Sequence, residues 1–283
     1  MKFLLKLFIV KFFKALSITS AGRFIENTII EQAMSQQLKV IHNGVTLLFT
    51  CPNPLTRWRV ETYSEKEPET LSWIDGMTRD DVLWDIGANI GLYSLYAAKR
   101  HDMKVISFEP SVFNLELLGR NCHINKACEN VTIIPLALSD RTGSNLMKHS
   151  DTKWGGALSS FSVDYGGDGE VFSSVVEYKT LGISADDAVT KLMLPVPTYI
   201  KIDVDGIEHI ILDGAGEILK KVKSVLVEVN DNFQEQAEMV TKILITSGFS
   251  LINKEISVFT INSKNINIAN QIWKRVTENE ISN

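Results

Sequence analysis

Residues 84–91 read WDIGANIG, Trp84 to Gly91, and overlap the apolar triplet Val82-Leu83-Trp84. The triplet predicts a buried strand, and the run from Gly91 to Lys99 predicts a helix directly after it. Gly87 and Gly91 leave room at this turn for a ligand to approach the backbone and permit conformations closed to other residues. Asp85 at the strand end offers a carboxylate to an ammonium or an ordered water. The helix beyond offers N–H groups that have no partner within the helix. The spacing is G-x-x-x-G, not the G-x-G-x-x-G of dinucleotide-binding turns. A glycine pair alone also fits a plain tight turn.

Working outward, strands and helices alternate. Strands are expected at Lys104 to Phe108, Val131 to Ala137, Thr198 to Asp203 and Ser224 to Val229. Helices are expected at Ser111 to Asn121, Gly206 to Leu219 and Asn232 to Thr246. Phe249 to Ile252 and Val258 to Ile261 read as a closing antiparallel pair. The alternation predicts an α/β fold: a doubly wound, mostly parallel Rossmann-like sheet with a C-terminal antiparallel strand pair. Before Asp81 lies an N-terminal helical and hairpin extension. It has a helical stretch to about Leu38, then short strands Leu38 to Ile41 and Val45 to Thr50 around the turn Asn43-Gly44. Cys51 to Pro54 reads as a turn, and Glu65 to Ile74 as a helix with Pro68 early in it. The expected divisions are 1–25, a basic amphipathic segment; 26–80, the extension; and 81–283, the main domain.

Ligands of such sheets sit at the carboxyl ends of the strands, near the switch in strand order. The strand Lys104 to Phe108 ends in Glu109-Pro110. Glu109 lies about twenty residues beyond the glycine turn, where a carboxylate can accept both ribose hydroxyls of an adenosine. Without that offset, a strand-end Glu would read as a solvated loop residue.

Five segments together resemble the FkbM family of methyltransferases: VLWDIGANIGLYSLYAAK, VISFEPSVFNLELLGRNCHIN, NVTIIPLALSD, YIKIDVDGIEHIILDGA and VLVEVN. EKEPETLSWI resembles the family's approach to its first strand. The resemblance spans roughly residues 65–230. It implies the class I methyltransferase sheet, S-adenosyl-L-methionine as methyl donor, and O-methylation of a sugar, glycan or glycolipid. Carried over by position, Asp85, Gly87, Ala88, Asn89 and Gly91 surround the methionine part of the cofactor. Glu109, with Pro110, holds the ribose. Ser139 and Asp140 lie beside the adenine, Asp140 reading otherwise as a turn residue ahead of Gly143, and Glu67 stands either at the cofactor's entrance or on the helix surface.

The segment IKIDVDGIEHI marks the reacting side. Asp203 ends a buried strand and is expected to act as the base or to orient the accepting oxygen. Asp205 stands where the family usually has Glu, which puts its direct reach to substrate in doubt. Glu208 keeps the family pattern. Asp205 and Glu208 are the residues expected to position the substrate. Both also suit a helix N-terminus for structural reasons. His209 reads as structural. A hydroxyl becomes a good nucleophile as its proton leaves, and a positioned carboxylate can take that proton. Alignment of oxygen, methyl and sulfur supplies much of the remaining acceleration.

Asp203, Glu228 and Asn230 all end strands on one edge, and oxygen ligands of this kind can hold Mg²⁺. No compact metal motif accompanies them, so no metal ligand is assigned. Between Gly143 and Thr180 the chain reads as irregular, with TKWGGALSSF and DYGGDGE suggesting an active-site lid. Trp154 within it suits either stacking on a sugar face or packing on the domain.

Composition sets the wider limits. Of 283 residues, 45% are hydrophobic and 22% charged, so a folded domain is expected. The net charge of -5 gives no general attraction to nucleic acid. Cys51, Cys122 and Cys128 form no CxxC pair and read as reduced thiols of a reducing compartment. The first 25 residues carry Lys2, Lys6, Lys11, Lys14 and Arg23 with no acid, interleaved with Phe, Leu, Ile and Val. Lys6 and Lys11 interrupt any spanning run. Residues 1–20 are therefore expected either to lie on a membrane surface or to pack on this domain or a second subunit of a homodimer. The combined expectation is a cytoplasmic enzyme, at the cytoplasmic membrane face where the segment binds lipid, acting on a small-molecule or lipid-linked glycan acceptor. Two other functions share this fold class: a nicotinamide-dependent oxidoreductase or epimerase, and a non-catalytic membrane-surface module.

Overall fold

The computed structural model describes residues 2–171, 173–256 and 267–276. Seven strands form the central sheet, in the order Phe249–Ile256, Ile268–Arg275, Ser224–Asn230, Tyr199–Ile202, Val82–Ile86, Lys104–Phe108 and Val131–Ile134. The last five run parallel. The first two are antiparallel to their neighbours. Strand order reverses around Val82–Ile86, which pairs with Lys104–Phe108 on one side and Tyr199–Ile202 on the other. A site is expected above the carboxyl ends at that reversal.

Side chains alternate across the sheet. Trp84, Ile86, Ile200, Ile202, Val225 and Val227 face one core, shared with residues of the helices Glu208–Asp213, Gly216–Leu219 and Gln234–Thr246. Leu83, Val105 and Val131 face the other, shared with the helices Leu92–His101 and Val112–Ile124 and the hairpin residues Leu47 and Phe49. Each fully buried Leu, Ile or Phe stabilises the fold by roughly 1.5–3 kcal/mol relative to exposure. The same alternation places Asp85 and Lys201, register partners on adjacent strands, on the face of Leu83.

The hairpin is present as read, with strands Gln37–His42 and Val45–Thr50 and positive φ at Asn43 and Gly44. Several elements depart from the expectation. The stretch from Val131 is not one strand. Pro135, which has no N–H to give a ladder, separates Val131–Ile134 from Ala137–Ser139, and the second piece joins a different sheet. That four-stranded sheet also contains Gly143–His149, Ser159–Phe161 and Val176–Ser184, so much of the stretch read as irregular is β-structure. The helix expected over Gly206 to Leu219 is two short helices broken at Gly214-Ala215. The helix expected over Glu65 to Ile74 is likewise split, into Tyr63–Lys66 and Pro68–Asp75. The closing antiparallel pair is Phe249–Ile256 with Ile268–Arg275. The strand expected at Val258 to Ile261 lies outside the described residues.

Candidate functional site

A cavity of about 260 Å³ opens at the strand-order reversal, near the lower end of the size range for a small-molecule site. Gly87 and Asn89 form one wall, Glu109 and Pro110 a second. Leu136, Leu138, Met147, Phe161, Ile207 and Ile211 make an apolar end. Trp58, Arg59, Lys66, Asp203, Asp205 and Glu228 make a charged end. A smaller adjoining pocket reaches Glu67, Ala88, Tyr93 and Lys201.

The glycine turn is held from below. The N–H groups of Gly87 and Ala88 both donate to the Phe108 carbonyl, at 3.0 and 3.1 Å. Gly87 has φ +84°, and a Cβ there would lie 2.0 Å from the Asp203 carbonyl oxygen. Its glycine is therefore required by contact between two strand ends, not just by space for a ligand. Asn89 also has positive φ (50°). Its Nδ2 donates to Gly156 O at 2.9 Å, while its buried Oδ1 has no partner among the described residues. An acceptor left without a donor in a cavity wall suits the ammonium or hydroxyl of a bound ligand.

Glu109 is buried, and its two oxygens receive the N–H groups of Asn89 and Ser111, each at 2.8 Å. A carboxylate offers about four acceptor sites, so with these N–H groups and the Asn114 side chain engaged, Glu109 keeps acceptor capacity for a ligand hydroxyl. Burial pushes its pKa up to about 7 against the lowering effect of those N–H bonds. The orphaned Asn89 oxygen, the pre-aligned Glu109 carboxylate and the apolar end together fit S-adenosylmethionine, with its ammonium, ribose and adenine.

At the charged end Lys201 is 1% exposed and lies 2.8 Å from Asp203 Oδ2. Its ammonium also stands over the Tyr93 ring, 5.0 Å from the centroid. Burial opposes the charge on Lys201, but Asp203, Glu67 and Asp85 outweigh it and keep it protonated. Burial alone would raise the Asp203 carboxyl. Lys201 and then Lys66 reverse that and hold it below the ordinary carboxylate range. Lys66 pairs with Glu67 at 2.5 Å, and Glu67 is likewise lowered, Lys66 and Lys201 overcoming its burial. Glu228 behaves oppositely. Burial first, and the Asp203 charge second, raise it well above the usual value.

Not every residue read from the sequence reaches the cavity. Asp85 is turned inward, receives Ser94 Oγ at 2.5 Å, and lines neither pocket. Burial raises its pKa. Gly91 begins the helix Leu92–His101 and faces Leu118, the reason being helix packing rather than ligand space. Ser139 donates to its neighbour Asp140 at 3.0 Å, and the Gly214 turn packs on the Ser139 carbonyl. Leu136 and Leu138 line the cavity at this point instead. Glu208 is buried away from the cavity. It accepts the N–H groups of Val204 and Gly206 and the Nε2 of Gln236, so it holds the 204–206 turn. Burial raises its pKa to about 7. Asp205 does line the cavity, but its Oδ2 receives Leu158 N at 2.8 Å and so ties the loop over residues 155–159 to the site. Burial and then Asp203 raise its pKa.

Trp154 packs against the core on the Leu83 face and donates Nε1 to Glu116 at 3.2 Å, away from the cavity. Trp58 lines the cavity instead, with Phe108 and Phe161. Trp58 and Arg59 sit on the helix Pro54–Glu61, which the sequence reading missed. The signal was present: Asn53 and Thr56 make a capping box with Pro54 at the first turn. Lys201 was also missed, since one lysine in a short strand does not announce burial.

The Mg²⁺ trio does not assemble. Asp203 is engaged by Lys201, and Asn230 Nδ2 is turned to Gly167 O at 2.9 Å. Among the described residues no group of three or more His, Cys, Asp or Glu is placed to hold a metal ion.

Residues 85–251 match the family described as the methyltransferase FkbM domain. The chain is 28% identical over 210 residues to the hexuronic acid methyltransferase AglP of Haloferax volcanii, covering 74% of this chain and 80% of that protein. A 61-residue stretch is 38% identical to methyltransferase sdnD of Sordaria araneosa, 21% of this chain and 24% of that one. A solved structure from Streptococcus mutans, described as a SAM-dependent methyltransferase, aligns with a TM-score of 0.50 at 10% identity. It covers 84% of this chain and 55% of that chain, a likeness of fold alone.

Proposed function

Because this chain belongs to the FkbM methyltransferase family, we propose that it is an S-adenosylmethionine-dependent O-methyltransferase acting on a sugar or glycan, with a uronic acid unit the favoured acceptor. The observation that carries this reading is the two-ended cavity: Glu109, Asn89 and an apolar end on one side, and a cluster of acids and bases on the other. Arg59 at the charged end suits an acceptor carboxylate, and Trp58 suits a sugar face. The resemblance to a hexuronic acid methyltransferase favours the same class.

Bound S-adenosylmethionine supplies an electrophilic methyl group carried on a sulfonium. Glu109 would accept the ribose hydroxyls, Asn89 Oδ1 would meet the methionine part, and Pro110, Leu136 and Leu138 would hold the adenine. Asp203, fixed by Lys201, keeps a permanent negative charge beside the reacting centre and orients the acceptor. Glu228 takes the proton from the acceptor hydroxyl. Of the two carboxylates, the one with the raised pKa is the better base, and Asp203 is held too acidic for the task. The loop over residues 155–159, tied down by Asp205, excludes water.

Calorimetric titration with S-adenosylhomocysteine tests the cofactor. Mass spectrometry of uronic-acid and neutral oligosaccharides after incubation tests the acceptor. No binding of S-adenosylhomocysteine, or NAD in its place, overturns the cofactor assignment. Methylation confined to neutral sugars overturns the uronic acid assignment.

A further inference from the structure

The N-terminal 35 residues are not needed to build the cavity. They form two helices, Lys2–Leu16 and Ser20–Ser35, whose firmest packing is against each other. Their junction is well knit. Thr19 caps the second helix by accepting Gly22 N at 3.0 Å, and Arg23 Nη1 donates to the carbonyls of Ser17 and Ile18. Gly22 lies so close to the Leu16 carbonyl that a Cβ would be 1.8 Å from it. The pair is thus a defined unit rather than two independent arms.

What this unit presents to solvent is unusual for a protein surface. Phe3 is 77% exposed, Phe8 67%, Ile18 79% and Phe24 72%, with Ile29 and Ile30 also exposed. Apolar exposure on this scale within one segment marks an interaction surface. On the first helix Leu4, Phe8 and Phe12 follow i, i+4 spacing, with Leu5 and Ile9 beside them, and this stripe contains no lysine. Lys11 borders the stripe beside Leu4, and Lys6 and Lys14 lie away from it. No described helix is long and apolar enough to cross a membrane.

We propose that this helix pair docks the enzyme on an anionic lipid surface, with the Leu4–Phe8–Phe12 stripe inserted at the headgroup boundary and Lys6, Lys11 and Lys14 among the headgroups. Charge selects this occupant. The helix pair, residues 1–35, carries five cations and two acids, Glu26 and Glu31, a net +3, so the rest of the chain carries -8 against the overall -5. An acidic body is on balance repelled by anionic lipid, and the cationic first helix supplies attraction. The combination of apolar stripe and flanking lysines is that of an interfacial helix. The inference stands independently of the acceptor and of the cofactor.

The test is co-sedimentation of the full chain with vesicles of phosphatidylglycerol and phosphatidylethanolamine, and with vesicles of phosphatidylcholine alone, at low and high salt. The native chain sediments with the anionic vesicles, less so at high salt. Two variants follow, Lys6→Glu/Lys11→Glu/Lys14→Glu and Phe8→Ser/Phe12→Ser. Each lysine near such a surface is worth roughly a fivefold change in partitioning, so the triple reversal lowers binding by about a hundredfold or more. The serine variant lowers binding at both salt concentrations. All of these side chains are exposed, so both variants keep the native melting temperature and S-adenosylhomocysteine affinity. Equal binding to both vesicle types, no binding to either, or unchanged binding by the variants overturns the proposal. So does sedimentation-velocity evidence that the native chain self-associates without lipid and the serine variant does not, which makes a second copy the occupant.

Discussion

The Lys201 ammonium lies 2.8 Å from the Asp203 carboxylate, two residues further along the chain, and is itself 1% exposed. Alternate residues of an extended segment point the same way, so K-x-D places the pair on one face. That face also carries Asp85, opposite Lys201 in register, and the pair lies against the Gly87 turn. Lys201 thus faces Asp203, Glu67 and Asp85, and shares Asp203 and Glu67 with Lys66.

Replacing that cation exposes the balance. Lys201→Met leaves Asp203 without its main partner, and is expected to destabilise the protein by about 2–4 kcal/mol, somewhat under the usual range because Asp203 is partly exposed. Asp203 has a lowered pKa, so its contribution is present above the unfolded value and lost as pH falls through the folded one. The gap between native and variant in urea melts should accordingly narrow below about pH 4. A gap that stays constant down to low pH argues that Lys201 acts by packing alone.

Glu109 sets a pH dependence on cofactor binding. Its pKa in the unliganded protein is about 7. Because the folded value is raised, its contribution to stability is full below the unfolded pKa and is lost as pH rises through about 7. Ribose hydroxyls donate best to the ionised form, so S-adenosylhomocysteine affinity should rise from pH 6 to 8. Glu109→Gln should flatten that profile and weaken binding at pH 8 by about 1.5–3 kcal/mol. Calorimetry across the pH range reads both effects, and an unchanged slope in the variant removes Glu109 from the ribose.

Gly87→Ala should fail as a fold before it fails as a binding site. Its Cβ would meet the Asp203 carbonyl at 2.0 Å and its φ of +84° disfavours any side chain. Left-handed backbone costs roughly 1–2 kcal/mol, and overpacking adds roughly 1–3. The expected result is a markedly lower melting temperature with or without ligand. A variant with native melting and weakened cofactor binding would return Gly87 to the simpler role of making room.

Glu228→Gln and Asp203→Asn separate base from positioner. If Glu228 takes the proton, its variant loses about 10²–10⁴-fold in kcat with cofactor affinity intact. The native rate should rise with pH as the raised Glu228 carboxyl ionises, and this limb should vanish in the variant. Asp203→Asn should instead raise KM and lower stability while keeping the limb. The reverse pattern assigns the base to Asp203.

Much of this protein was legible locally. The strand Val82–Ile86, the turn after it and the carboxylate at Glu109 could be read because period, glycine spacing and offset are properties of neighbouring residues. The same holds for the hairpin turn at Asn43-Gly44. Of the residues read as the site, Gly87, Asn89, Glu109, Pro110, Asp203 and Asp205 line the main cavity, while Asp85, Ser139 and Glu208 serve the surrounding structure. Chain position could not distinguish these groups, since a carboxylate at a strand end serves either purpose.

The sequence by itself determined the parallel sheet and where along it a ligand would lie, because hydrophobic alternation and turn chemistry act over a few residues. Tertiary structure alone decided which charges meet. Trp58 and Arg59 reach the cavity from the helix Pro54–Glu61, more than a hundred residues before Asp203 and Glu228. It also decided that Pro135 would send Ala137–Ser139 to a second sheet, and that Lys201 would be buried. A charge acquires its pKa, and so its chemistry, from burial and from neighbours brought together across the fold, and neither is written in the residues beside it.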